Sequence, residues 1–324
     1  MEHKFIVSSS PHIHKKDKIS DIMLDVIIAL LPATFMGVYY FGFRAALVIL
    51  TAIAACMLSE YTYEFFMKKK NTVRDLSAAV TGLLLGLNMP PATPLWMVVI
   101  GSAFAIIIVK QLYGGLGKNF INPALAARCF MVVAWAEAMT VYFEPLQGLD
   151  AVSSATPLAV LNGISEGTVP SISQAFLGVT PGCIGETSAF MLIIGGIYLL
   201  IKRVIDWKIP VTFILVFAVL EFFFGKNALG LDSIEFVLLQ TLSGGLFLGA
   251  IFMATDYTTT PTTSLGQFIF GIGCGVLTFV IRTYGGYPEG VSFAILLMNL
   301  LTPLIDRYTV PKKFGYIKAK KLIN

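Results

Sequence analysis

Ten apolar stretches, joined by short polar connections, leave this chain few ways to fold. They run over 22–41, 45–66, 76–89, 95–112, 123–143, 187–201, 209–225, 233–254, 265–283 and 290–305. A helix needs about 20 apolar residues to cross a bilayer. A soluble protein carries about 25% charged residues, whereas this chain carries 13%. The expected class is therefore all-α and integral to a membrane, with about ten transmembrane helices. Two stretches fall short of a full span. The one at 76–89 is expected to be a broken or half-depth helix, and the one at 187–201 to begin inside the preceding loop.

The basic residues orient these spans. With the N-terminus inside, 20 of the 23 Lys and Arg residues fall on the inner face, and only Arg44, Lys226 and Arg282 on the outer. Cytoplasmic loops carry such an excess, so both termini are expected in the cytoplasm. The loop at 144–186 then faces outside, with Glu144, Asp150, Glu166 and Glu186 but no Lys or Arg. The first 20 residues are polar and lack the apolar core of a signal peptide, so the first stretch reads as an uncleaved anchor. The division expected is a cytoplasmic tail at 1–20, five helices over 21–143, the outer loop at 144–186, five helices over 187–306, and a tail at 307–324.

The two halves echo each other. Gly82-Leu-Leu-Leu-Gly86, followed by Met89 and a Pro/Thr-rich break, returns as Gly245-Leu-Phe-Leu-Gly249, followed by Met253 and a Thr-rich break. Tyr113-Gly114-Gly115 returns as Tyr284-Gly285-Gly286 in the same order. Five spans per half make the second half inverted relative to the first. Inverted repeats with interrupted helices place their sites at the interface of the repeats, because loose backbone is tolerated only where protein or water satisfies it.

Three polar segments carry candidate chemistry. The first is Asp150-Ala-Val-Ser-Ser-Ala-Thr156, with Pro157 after it. Ser153, Ser154 and Ala155 are small, and Pro157 keeps Thr156 out of helix. The Thr156 hydroxyl is thus accessible to modification, or simply caps a helix as Ser/Thr turns do. The second runs from Tyr113 to Ala124. Gly114, Gly115 and Gly117 permit tight turns beside a flat ligand, and Asn119 and Asn122 offer amide donors and acceptors. A glycine-rich connector capped by Asn122 is the plain alternative. The third is Phe252 to Pro261, where Thr255 and Asp256 sit at an inner helix end. There Asp256 either meets a polar ligand chain or a cation, or stands in water.

Other features carry less. Asp25, Glu60, Glu64, Glu137, Glu221 and Asp306 lie in or near apolar stretches, where carboxylates count as functional candidates. Most stand near predicted ends and are expected to be solvated, which leaves Asp25 and Glu137 as the first to test. Cys56, Cys129, Cys183 and Cys274 form no C-x-x-C pair, so no iron–sulfur or zinc site made by this chain alone is expected. Cys56, Cys129 and Cys274 read as small apolar helix residues, and Cys183 lies in the polar loop. Nothing suggests nucleic-acid binding.

Together these residues resemble the NqrB/RnfD family of membrane subunits, and its Rnf branch in particular. The likeness covers the whole chain, from Ser10-Pro-His-Ile-His14 and the Ile22 to Pro32 segment through Tyr113–Ala124, Asp150–Leu158 and Met253–Pro261. Asp150 to Thr156 is similar to the family signature D-x-x-[ST]-[GS]-A-T, with Ser154 where Gly is frequent. The resemblance implies a covalent FMN, esterified through its phosphate to Thr156 by a flavin transferase. It also implies a second, non-covalent flavin such as riboflavin near Gly114, Gly115, Asn119, Asn122, Thr255 and Asp256. It implies ten helices in two inverted halves, similar to urea and ammonium transporters. Implied partners are a cytoplasmic NADH-binding subunit, an iron–sulfur subunit, two small membrane subunits and an extracytoplasmic FMN-bearing subunit. The function so implied is electron transfer across a prokaryotic cell membrane, coupled to Na⁺ or H⁺ movement. The rival reading is a solute channel of the same fold with no redox role.

Overall fold

The computed structural model describes residues 18–146, 154–186, 188–286 and 289–311, and among them there are helices, turns and loops but no strand. Asp150 and Ser153 lie outside the described residues, as do most of both tails. The first helix, α1 (Ile19–Phe66), has 48 residues and breaks at Gly42, whose φ of 70° and ψ of −162° leave the helical region. The break yields two arms, 19–41 and 43–66, which match the first two apolar stretches. Next, α2 (Ser77–Leu87) starts from Leu76 in a left-handed conformation. After it, α3 (Leu95–Ala103) continues into a π-helical segment, Phe104–Gln111. Asn122 caps α4 (Pro123–Ala134), accepting from the Ala124 and Leu125 amides. This helix ends sooner than 123–143 predicted, because Trp135 adopts φ −138° and ψ 57°; only one short turn, α5 (Ala136–Met139), follows.

The outer loop contributes α6 (Pro157–Leu161) and α7 (Ile172–Leu177). The second half begins with α8 (Ala189–Ile201), capped by the Ser188 hydroxyl. That cap corrects the expectation that this helix starts earlier in the loop. Then come α9 (Lys208–Phe224), α10 (Ser233–Leu242) and α11 (Leu246–Leu248), which runs on as a π-helical segment, Gly249–Met253. The axis bends by 59° between α10 and α11, where Gly244 and Gly245 adopt φ of 69° and 68°. The last two are α12 (Ser264–Tyr284) and α13 (Val291–Thr309). By length and composition α1, α12 and α13 suffice to cross a membrane, and the bent α10–α11 pair makes a fourth if it is one span.

Apolar side chains cover the outside and charges sit within. Phe43 is 77% exposed and Phe223 69%, whereas Lys110 is 2% and Arg282 3% exposed. Lipid as a solvent permits this arrangement; water opposes it. Three carboxylates expected to be solvated, Glu60, Glu64 and Glu221, are in fact buried, because polar partners or a buried Arg stand beside them; Glu137 is exposed. Burial also removes Lys110, Arg128 and Arg282 from the surface charge count.

Small residues set the packing. The first arm of α1 lies so close to α8 that a Cβ on Gly195 would stand 2.1 Å from the Ala29 carbonyl oxygen. The second arm receives α2 at Gly82 and α3 through the Ser102 hydroxyl, 3.4 Å from the Ala52 carbonyl. In the second half α12 lies against α9 at Gly271 and Gly275, and α13 packs on both α12 and α4. Backbones approach this closely only over small residues. Gly195→Ala is therefore expected to destabilise the chain by about 1–3 kcal/mol, the usual cost of overpacking. Gly286→Ala, with nothing within 4 Å of the new methyl among the described residues, should stay within about 0.5 kcal/mol. Thermal unfolding of both variants in detergent checks the contrast.

Candidate functional site

Two cavities open along α4, one at its N-terminal end and one farther along. The first, of about 80 Å³, is lined by Asn119, Asn122, Thr255 and Asp256 together with Lys110 and Ser77. Four of the six residues expected around a second flavin thus meet in one place. Gly114 and Gly115 lie outside the lining; their φ values of 117° and 89° serve the turn that leads to Lys118.

The polar atoms here are unequally free. The Asn122 carbonyl oxygen caps α4, and its amide donates to the Met253 carbonyl at 3.3 Å. The Thr255 hydroxyl donates back to Ile251 at 2.6 Å. Asp256 accepts from the Thr258 and Thr259 hydroxyls, and burial pushes its carboxyl up from the ordinary range against those bonds. The Asn119 side-chain oxygen alone among these four residues is buried with no partner among the described residues, an acceptor open to a donor. A flat ligand bearing N–H groups suits that acceptor, and a flavin ring is such a ligand.

Sequence reasoning missed Lys110. It is one residue from the end of the π-helical segment and has the look of a surface charge. Its ammonium donates to Glu60 at 2.7 Å and to the Ser77 hydroxyl at 2.6 Å, and Gln111 donates to the same Glu60 oxygen at 2.7 Å. An ammonium has three donors, so one remains for the cavity it lines.

The second cavity, of about 210 Å³, is lined by Ser154, Ala155 and Thr156 with Arg128, Tyr142 and Glu289. Thr156 is 8% exposed and caps α6, its hydroxyl oxygen accepting from the Ala159 amide at 3.3 Å. The capping role and access to a cavity therefore coexist in one side chain. The small neighbours Ser154, Ala155 and Ala159 leave room beside the hydroxyl, so an ester link to a phosphate fits here.

An ionic cluster that no motif announced forms part of the wall of the second cavity. Arg128 donates through Nη1 to the Asn88 carbonyl at 2.7 Å, to the Asn88 side-chain oxygen at 2.8 Å and to Glu186 at 2.7 Å, and through Nη2 to Glu289. The Tyr142 hydroxyl donates to the other Glu289 oxygen at 3.1 Å. Cys183, unplaced from sequence, is fully buried beside this group. Arg282 closes the C-terminal end of α10, donating to the carbonyls of Gln240, Ser243 and Gly244 and to that of Glu289. The signal available in sequence was an arginine six residues into an apolar helix. By contrast Asp25, flagged from sequence, accepts from the Tyr198 hydroxyl at 2.7 Å near Lys202 and is part of a helix-end contact.

Residues 6–315 match the model of the NQR2, RnfD, RnfE family. The chain is 47% identical over 318 residues to a subunit of the Na⁺-translocating ferredoxin:NAD⁺ oxidoreductase complex of Acetobacterium woodii, covering 97% of this chain and 96% of that one. It is 46% identical over 320 residues to a subunit of the proton-translocating ferredoxin:NAD⁺ oxidoreductase complex of Clostridium ljungdahlii, covering 96% of each. It is 37% identical over 354 residues to a subunit of the ion-translocating oxidoreductase complex of Erwinia tasmaniensis, covering 98% of this chain and 99% of that one.

Proposed function

The chain belongs to the NQR2, RnfD, RnfE family, and from that premise we propose that it is the membrane-embedded RnfD component of an Rnf-type complex. In this reading it is no enzyme alone. It serves an oxidoreductase that couples electron transfer between ferredoxin and NAD⁺ to movement of Na⁺ or H⁺. Thr156 carries FMN through a phosphoester, and Asn119 and its neighbours hold a second flavin, such as riboflavin, without a covalent bond. Flavins at these two places supply the electron-carrying chemistry. The chain's own residues hold them apart, exclude water and fix the charge around them.

The observation that carries this reading is the pair of cavities. Asn122 and Ser154, 32 positions apart in segments each singled out for flavin chemistry, border different cavities along one helix. Asn122 and Arg128, one at each cavity, are six residues apart on α4, about 9 Å along the axis. The architecture in this reading is ten spans in two inverted halves, of the urea and ammonium transporter kind. Support comes from helix at each of the ten apolar stretches and from matching close contacts, Gly101 of α3 against Met131 of α4 and Gly273 of α12 against Met298 of α13. Both termini lie in the cytoplasm and Thr156 outside. The partners are the NADH-binding, iron–sulfur, small membrane and extracytoplasmic FMN subunits, with a flavin transferase during maturation.

Mass spectrometry of the Thr156 peptide, from complex purified out of a host that makes the transferase, tests the reading. The peptide should carry the added mass of FMN, and acid extraction of the same sample should release a second flavin. An unmodified peptide with no extractable flavin would turn the choice toward a solute channel.

A further inference from the structure

We propose that Glu186, Glu289 and Ser243 form a binding site for one dehydrated monovalent cation of the alkali class, at the elbow between α10 and α11. The proposal rests on the ion-translocating reading above and names a place where such an ion would sit.

A small cavity that adjoins the second cavity, sharing Thr156 and Glu289 as walls, carries the argument. Its volume is about 20 Å³, and Glu186, Glu289, Ser243, Gly244, Thr180 and Thr156 are among its walls. A cavity needs about 10–15 Å³ to take one water-sized guest, so there is room for one and no more. Oxygens of Glu186 and Glu289 and the Cys183 sulfur all lie within 4.8 Å of one another. Carboxylate and hydroxyl oxygens are the donors that hard cations take. Ser243 supplies an independent observation. It lines this cavity and is 94% buried, being 6% exposed. Its hydroxyl has no hydrogen-bond partner among the described residues. Buried hydroxyls are seldom left so.

Charge counting agrees. The groups that face one another here are Arg128, Arg282, Glu186, Glu289 and Glu221, the acidic neighbour of Arg282. Tyr142 and Cys183 add no charge in their neutral forms. Three carboxylates here face two guanidiniums, and burial pushes the Glu186 carboxyl up to about 7, so a buried charge on it is costly unless it is compensated. A single monovalent cation compensates it. A proton would also, but a proton needs no room, and the cavity has some. Arg282 already occupies the Ser243 and Gly244 carbonyls, so the guest is left the side-chain oxygens. Broken helices in membrane transporters hold their coupling ions at such interruptions. Glycine at 245 also finds a reason, since a Cβ there would lie 2.6 Å from a Glu186 carboxylate oxygen.

The test is thermal unfolding of the purified full chain in detergent, with sodium chloride titrated against choline chloride at constant ionic strength and pH. Sodium should raise the midpoint saturably. Ser243→Ala removes a hydroxyl that makes no hydrogen bond among the described residues, so its midpoint in choline should equal or exceed that of the parent. Its half-saturation for sodium should weaken by about tenfold, the equivalent of one lost ligand. Glu186→Gln should lose the sodium response. The proposal is overturned if sodium and choline are equivalent for the parent chain, if Ser243→Ala responds to sodium as the parent does, or if the midpoint follows pH alone. Flavin content of the same sample reports separately on the functional reading: a sodium response that depends on Ser243 in a chain free of flavin would keep this site and discard that reading.

Discussion

Thr156→Asn is expected to yield a folded chain whose denatured form shows no flavin fluorescence on a gel. The two jobs of Thr156 make this substitution informative. Its hydroxyl oxygen caps α6 by accepting from the Ala159 amide, and in the proposed chemistry the same oxygen bears the phosphoester. Asparagine is among the best capping residues but has no hydroxyl to esterify. It should therefore keep the cap and lose the covalent flavin entirely. Thr156→Ala loses both, with about 1 kcal/mol of stability gone with the cap. Thr156→Ser keeps both an acceptor and a hydroxyl and should retain attachment. Ser154→Ala is the control for the motif, since the Ser154 hydroxyl is buried without a partner among the described residues and its loss should leave attachment in place. Fluorescence that persists in the asparagine variant would show that the dye is bonded elsewhere.

The helices were readable because lipid imposes a simple rule: apolar length and basic flanks suffice to mark them. The breaks were partly readable. Gly82 and Gly245 drew attention through a repeated pattern, and the Gly245 region is where the helix bends by 59°. Gly42 did not, because one glycine in an apolar run looks like any other until its φ is known. The site divided in the same way. Asn119, Asn122, Thr255 and Asp256 could be grouped by residue type and by resemblance, and they meet at one cavity. Lys110, Arg128 and Glu289 could not, because a single charged residue near a helix end has the same appearance whether it faces water or a partner 161 positions away. Pairing across the two halves is a property of the folded chain, not of any local pattern.

Arg128→Met should be the most damaging single substitution in the protein. Arg128 is 4% exposed and holds two carboxylates and both oxygens of Asn88. The Asn88 carbonyl belongs to the residue that ends α2, so the same guanidinium also closes a helix. Its removal leaves Glu186 buried and Glu289 partly buried, both without this counter-charge. Breaking a buried pair from one side costs about 3–5 kcal/mol, a large part of the roughly 5–15 kcal/mol that separates typical folded and unfolded states. Little monodisperse chain should survive detergent extraction. Arg128→Lys keeps the charge but not the planar fork; one ammonium cannot reach all four acceptors in the same geometry, so an intermediate loss of about 2 kcal/mol is expected. Arg128→Met combined with Glu186→Met should recover part of the loss, since the stranded carboxylate goes with its partner and Glu289 keeps the Tyr142 hydroxyl. Thermal midpoints of the three variants, set beside the parent, give the comparison. A shift below about 2 °C for Arg128→Met, equivalent to about 1 kcal/mol in a chain of this length, would mean that the Glu186 carboxyl, which burial pushes up, is already neutral in the resting protein, and the cation site would lose a charged ligand with it.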